Sequence, residues 1–395
     1  MAVEDRVLIA GAGPVGLTAA ASLVHASVPV TVFEAGSDLS EESRASTFHP
    51  PTLDMLDRLG AAQPLIAQGL VAPQFQYRTK KHGVLAQFDF GVIADVTLHP
   101  YRVQCEQSKL TRILYEQLRG NSNFELQFDS PVRHVAQQSA GVQVSIEREG
   151  RSETRSGRWL IGADGARSDV RRALGIEFPG FTWPERFLVV STPFDFRTVI
   201  PDLVAVSYVC DPERWHFLLQ IPGLCRVMFP VAPHESDELA LSGEFAHSLM
   251  AGIVPGISRY EVAHVTLYKV HQRVAKTFRE GRAFLMGDAA HINNPLGGMG
   301  MNGGIHDAIN LTSRLIEVWH GGKPDTELER YDRQRRLVTL EYIEKQSIQN
   351  KRNLESDGVE FARSLAEIAA DKTRTYDYLL RVSMIASLRR AQELG

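Results

Sequence analysis

The run Arg6 to Ala10 (RVLIA) leads directly into Gly11-Ala-Gly13-Pro-Val-Gly16 and then into LTAAASLVHA. A short apolar run suits a buried parallel strand, and the alanine-rich stretch is a good helix former. Glycines at a strand-to-helix turn point to an α/β chain with a dinucleotide site at its start, because each glycine has its own task. Gly11 permits the tight turn, Gly13 lets backbone approach a pyrophosphate, and Gly16 lets helix and strand pack closely. The helix N-terminus offers unpaired N–H groups and a partial positive charge to the phosphates. The next strand-like run, Val30-Thr-Val-Phe33, ends in Glu34. An acidic residue there accepts hydrogen bonds from a ribose and repels a 2′-phosphate. This segment alone does not separate NAD from FAD.

Two further segments narrow the choice. Trp159-Leu-Ile161 precedes Gly162-Ala-Asp164-Gly165-Ala-Arg167-Ser168, with a helix expected over Asp169 to Leu174. Alone, that stretch reads as an ordinary strand-turn-helix junction with an N-cap. The strand-like Arg282 to Met286 precedes Gly287-Asp288-Ala-Ala-His291, which places Asp288 to bind a ribityl hydroxyl. Beyond lies Asn293-Asn-Pro-Leu-Gly-Gly-Met-Gly-Met-Asn-Gly-Gly304, with a helix expected from Ile305 to Trp319. Glycines 297, 298, 300, 303 and 304 would leave backbone N–H groups bare at that helix start. Such a nest suits an anionic, electron-rich group, as a reduced flavin is. Three separated stretches around one nucleotide point to FAD, held noncovalently, rather than to a loosely docked NAD.

At these residues the chain resembles the single-component flavoprotein aromatic hydroxylases, the para-hydroxybenzoate hydroxylase-like family. Fingerprint, central Asp-Gly motif and Gly-Asp-Ala-Ala-His followed by a proline and glycines occur in the family's order. Arg44-Ala-Ser46 is similar to the arginine loop near the flavin, and Gln107 to the family's flavin-contacting glutamine. The stretch Tyr208 to Phe229, with Trp215 and Pro222-Gly223, resembles the substrate-domain sheet. The resemblance implies that Asp164, Gly298, Gly300, Met301 and Asn302 complete the cofactor site. It also implies a reaction. NADH or NADPH docks transiently and reduces FAD, and O2 forms a flavin C4a-hydroperoxide. Its distal oxygen then attacks a phenolic or related aromatic ring. The side chains help the phenol lose its proton and exclude water. Tyr208, His216, Met228 and Pro295 are the pocket candidates, with His49 a further one. His216 is a candidate base, but a lone histidine in an apolar strand is more often a core residue, and no dedicated general base is assigned. His291 is expected to orient its loop. Two other readings share the bound flavin: an FAD-dependent oxidoreductase acting without oxygen insertion, and a non-catalytic FAD-binding protein.

Composition excludes other classes. A net charge of −4 gives no whole-chain case for nucleic acid. No apolar stretch approaches the ~20 residues of a membrane span, and the start does not read as a signal peptide. Cys105, Cys210 and Cys225 are too few and scattered for a disulfide framework or a metal site. They suit buried positions and a cytoplasmic setting. No second glycine fingerprint serves a nicotinamide domain, the halogenase Trp-x-Trp-x-Ile-Pro motif is missing, and the chain ends too early for an added thioredoxin-like domain.

The expected organisation is interleaved: a Rossmann-like FAD-binding domain (1–72, 100–180 and 270–350), a β-sheet substrate domain (73–99 and 181–269) and C-terminal helices (351–395). The helical tail could cover the core or a partner subunit, which leaves a homodimer open.

Overall fold

The computed structural model describes residues 4–41, 45–148, 150–211, 213–254, 256–257, 259–355 and 359–395. The apolar run at the start forms the strand Val7–Ala10, every residue of it buried. It lies near the centre of a six-stranded sheet in the order Arg279–Glu280, Ala283–Leu285, Trp159–Gly162, Val7–Ala10, Val30–Phe33, Phe124–Gln127. Only the edge hairpin at Arg279–Glu280 is antiparallel. The other pairings are parallel, with Ala10 level with both Gly162 and Phe33. The carboxyl ends of neighbouring strands therefore coincide, and ligands of open α/β sheets bind at that edge. Gly11, Glu34, Ala163-Asp164 and Gly287 all follow those ends, so the sheet brings the separated stretches together.

The helix Pro14–His25 follows the glycine turn, with proline at its first position. It packs against the long helix Met299–Trp319, where Thr312 Oγ1 donates to Ser22 Oγ at 2.8 Å. A small antiparallel sheet (Thr47–Phe48, Arg102–Gln104, Leu70–Ala72) lies between this region and a larger one. The larger sheet has eight strands: His291–Ile292, His264–Val274, Gly180–Thr192, Leu224–Val231, His216–Ile221, Val206–Val209, Gln74–Thr79 and Gly83–Asp89. Val206–Val209 pairs in parallel with Gln74–Thr79 across a long gap in sequence.

Both faces of this sheet are covered. One face buries Val190, Val209, Leu218 and Phe229 with Ala246 and Met250 of the helix Gly243–Ala251. The other buries Tyr77, Phe187, Tyr208, Leu219 and Met228 with Leu354, Leu365, Leu379 and Leu380 of the C-terminal helices. The charged tail thus packs on its own sheet. Phe361 meets Tyr77 edge-on at 5.3 Å, and Tyr378 lies 4.6 Å from Phe88. The helices Glu329–Val338 and Lys345–Glu355 are joined by a π-helical turn, Thr339–Glu344.

Candidate active site

The glycine turn divides into packing and binding positions. Gly11 has φ +101°, and a Cβ there would lie 2.4 Å from the Ala163 carbonyl oxygen. A Cβ on Gly16 would lie 2.0 Å from the Gly11 oxygen. Both glycines are demanded by the protein's own backbone. Gly13 is different: a Cβ there would meet nothing within 4 Å. Gly13 is also the N-cap of the helix Pro14–His25, which has no side-chain cap. A bare helix start facing open space, at a position where a side chain would intrude, fits a pyrophosphate. Glu34 is held beside it, one oxygen accepting from Ala12 N–H at 2.7 Å and the other from Gly36 N–H at 2.9 Å.

Asp164 departs from expectation. Its carboxylate accepts from Ser168 Oγ at 2.5 Å and from Val170 N–H at 3.0 Å. Burial raises its pKa despite those bonds. Ser168 caps the following helix by accepting from Arg171 N–H. Asp164 therefore organises this turn, and it is the neighbouring Ala163 that packs on Gly11. Asp288 is exposed on the 3-10 turn Gly287–Ala289, just past the sheet edge. Gln107 opens the helix Gln107–Leu118, its N–H donating to the Ala45 oxygen at 3.0 Å. Arg44 lies outside the described residues.

The glycine-rich loop is shorter than its sequence suggests. The helix begins at Met299, not Ile305, with Gly298 as a left-handed N-cap (φ +67°). Gly300, Met301, Asn302, Gly303 and Gly304 are therefore helical. Gly303 and Gly304 serve packing: a Cβ on Gly304 would lie 2.6 Å from Val15 and 2.9 Å from the Gly287 Cα. The nest reduces to Gly297, Gly298 and the first helical turn. Gly298 N–H closes a turn on the exposed Pro295, at 3.0 Å from its oxygen.

Two residues expected at the chemistry brace this loop instead. Asn302 Nδ2 donates to the oxygens of Thr47 (2.8 Å) and Gly298 (2.6 Å), and its Oδ1 accepts from His49 N–H at 2.9 Å. His49 is fully buried, its Nε2 2.8 Å from the Gly297 oxygen, which assigns the proton to Nε2. Burial first, then the nearby Arg102 charge, holds its pKa well below the ordinary value. A neutral histidine donating to a carbonyl is a clamp, so the catalytic expectation for His49 and the cofactor-contact expectation for the Asn302 side chain are corrected.

Behind the loop lies a buried cluster that the sequence did not reveal. Asp307 receives His291 Nε2 at 2.8 Å, Arg335 Nε at 2.7 Å and Gly287 N–H at 3.1 Å. Burial alone would raise the Asp307 pKa, but Arg335 and His291 bring it below the usual value. His291 thus orients its loop, as expected, through a partner nothing in the local pattern marks.

On the large sheet, Tyr208 stacks on Tyr77 with centroids 5.0 Å apart and shares a cluster with Met228 and Trp215. Tyr378 Oη approaches Tyr77 Oη at 3.4 Å. Tyr77 and Tyr378 were not singled out from sequence. Burial pushes both phenols up, Tyr378 to about 12. His216 is on the other side of the sheet. Strand alternation sends it to the face of Leu218 and Phe229, where it lies 5.4 Å from the Phe229 ring. Burial and Lys80 lower its pKa to about 4. His216 is therefore a core residue, the commoner reading for a lone histidine in an apolar strand, and not a base.

All three cysteines are buried and free, with thiols pushed up by burial to about 11 (Cys105) and about 12 (Cys210, Cys225). Among the described residues there is no cluster able to hold a metal and no helix long and apolar enough to cross a membrane.

A parallel sheet edged by a glycine cradle, with a second, aromatic-lined sheet, is the architecture of an FAD-binding protein. The FAD binding domain family matches residues 4–346, and the chain belongs to it. It is 35% identical over 347 residues to para-nitrophenol 4-monooxygenase of Pseudomonas sp. (strain WBC-3), covering 87% of this chain and 85% of that one. It is 37% identical over 363 residues to 6-hydroxy-3-succinoylpyridine 3-monooxygenase of Pseudomonas putida (strain DSM 28022 / S16), covering 90% of each. The crystal structure of p-nitrophenol 4-monooxygenase from Pseudomonas putida DLL-E4 superposes with a TM-score of 0.91 at 30% identity, over 98% of this chain and 99% of that one.

Proposed function

We propose that this chain hydroxylates a small phenolic or related heteroaromatic compound in the cytoplasm, with noncovalently held FAD and NADH or NADPH as a transient reductant. The observation that carries the reading is Leu296. It belongs to the Pro295–Gly298 turn at the flavin side, and it is fully buried in the cluster of Tyr77, Tyr208 and Met228. One loop therefore links cofactor cradle and aromatic pocket. The relatives above are named for hydroxylated or nitro-substituted rings, which suits that lining.

Bound FAD supplies oxygen activation and transfer to the ring. Gly13 and the helix start behind it would hold the pyrophosphate, Glu34 the ribose and Asp288 a ribityl hydroxyl. The Met299 to Met301 N–H groups, at a helix N-terminus, favour negative charge on the cofactor. Tyr208 hydrogen-bonds the substrate hydroxyl, and the C-terminal helices exclude water. The segments 1–72, 100–180 and 270–350 would form most of the cofactor part, and 73–99 with 181–269 the substrate part, although the large sheet also takes in residues 270–274 and 291–292. The test is a panel of phenols with the FAD-loaded protein, following NAD(P)H oxidation and incorporation of isotopic oxygen. Ring-stimulated oxidation with labelled product is expected; oxidation that never labels a ring would overturn the reading.

A further inference from the structure

Among the described residues, Arg78, Arg102, Arg171, Arg226 and Arg335 are buried. Four of these place guanidinium N–H groups on protein oxygens. Arg335 donates to the Asp307 carboxylate at 2.7 Å, and Arg171 to the Ala289 and Ala166 oxygens at 2.8 and 2.9 Å. Arg226 donates to Ser46 Oγ at 3.2 Å, and Arg78 reaches the Pro201 oxygen at 3.5 Å. Arg102 is the exception. It is 3% exposed, and it forms neither a hydrogen bond nor an ion pair with any described residue. Its Nε is buried without a partner.

Rings surround it instead. The guanidinium carbon lies 4.8 Å from the Phe75 centroid and 5.1 Å from that of Phe90. Contact with two phenylalanines offsets only part of the cost of removing a guanidinium from water. A buried cation without an anion is rare enough to require a reason. Its place in the fold supplies one. Arg102 opens the strand Arg102–Gln104, where the antiparallel register with Thr47–Phe48, continued by one residue, sets it opposite His49. His49 clamps the Gly297 carbonyl. On its other side, Phe75 packs with Tyr77, Phe88 and Tyr378. Arg102 thus stands where the cofactor loop meets the aromatic cluster.

We propose that Arg102 anchors the ring substrate through a negatively charged, planar substituent with paired oxygens, such as a carboxylate or the nitro end of a nitrophenolate. The guanidinium fork matches two coplanar oxygens and pairs with both. Phe75 and Phe90 keep the pair dry, and the arginine gains the counter-charge that no described residue gives it. The inference rests on the aromatic-hydroxylase reading of the same site and adds the class of substituent.

The test uses the FAD-loaded protein and three probes of similar size: para-hydroxybenzoate, para-nitrophenol and the uncharged para-cresol. Binding is read from the perturbation of flavin absorbance. In Arg102→Met, affinity for an anionic ring bound by the parent should fall roughly tenfold to a hundredfold, the worth of a charged hydrogen bond. Affinity for para-cresol should change less than about twofold. Equal loss for charged and uncharged rings, or no loss at all, overturns the assignment. Should the Met variant fail to retain FAD, Arg102→Lys decides, since it keeps the charge without the fork. A loss confined to the anionic rings supports the proposal, and equal loss across all three overturns it. Parent protein that binds all three probes alike overturns the Arg102 assignment alone. Parent protein that binds none overturns the aromatic reading beneath it.

Discussion

Single residues were legible in the sequence where an absent side chain has only one use. Gly11 and Gly16 meet neighbouring backbone at distances no Cβ tolerates, while Gly13 borders open space. Gly13→Val should therefore fold and lose FAD, since its side chain would occupy the phosphate's place. The flavin content of purified protein checks this; a full complement would refute it. Charged residues were less legible, because their partners are distant in sequence. Asp307 and Arg335 form an ion pair with both side chains 0% exposed, yet each stands in a helix whose local pattern gives no hint of the other. His216 misled because an apolar strand offers two faces, and the strand's period of two, not its composition, decides which one a residue joins. Its burial has a pH consequence. His216 is held to about 4 and His306 to about 3, chiefly by burial, against an ordinary value of 6.5. Both are neutral in the fold, whereas the unfolded chain protonates them below about 6.5. The unfolded state then binds more protons, so stability should fall as pH drops from about 6.5 towards 4. Urea midpoints at neutral and mildly acid pH should show that decline, and His216→Leu should lessen it. An unaltered slope in the variant would show that His216 does not contribute.

Elements were recovered where an apolar run met a clear turn, as in the strand Val7–Ala10 and the helix Pro14–His25 behind it. The start of the helix Met299–Trp319 was missed because glycine has poor helix propensity. Tertiary contact overrides that preference: Gly303 and Gly304 are there to let the helix pass against His291, Val15 and Gly287. The glycines of this stretch should consequently differ under substitution. Gly298 has φ +67°, and its Cβ would lie 3.0 Å from the Thr47 Cβ. Gly298→Leu should strain the turn by about 1–2 kcal/mol. It should also yield more hydrogen peroxide and less product per NAD(P)H. Gly300 is helical, and its Cβ would meet only Asn293 Oδ1 at 3.4 Å. Gly300→Ala should be neutral or add up to about 1 kcal/mol of stability. Thermal unfolding with peroxide and product assays separates the two, and matching behaviour would remove the distinction between cap and helix interior.

At the scale of the molecule, two sheets and their interleaving could be read from the alternation of helical and strand-rich stretches. How the tail is used could not. Its apolar residues allowed packing on this chain or on another, and only the structure shows Leu379 and Leu380 buried against the large sheet. On the proposed reading, excluding water would fall to the tail as much as to the aromatic cluster. Phe361→Ala removes the ring that meets Tyr77 at 5.3 Å. FAD content should hold while peroxide released per NAD(P)H rises, and unchanged coupling would show that this helix does not seal the site.

Leu296 has one more consequence. A residue that is at once part of the cofactor's turn and part of the pocket's wall cannot report on one site only. On the proposed reading, a ring seated against it would bear on the backbone whose N–H groups would face the flavin. The two ligands are then thermodynamically reciprocal: whatever factor a ring changes the grip on FAD, FAD must change the grip on that ring by the same factor.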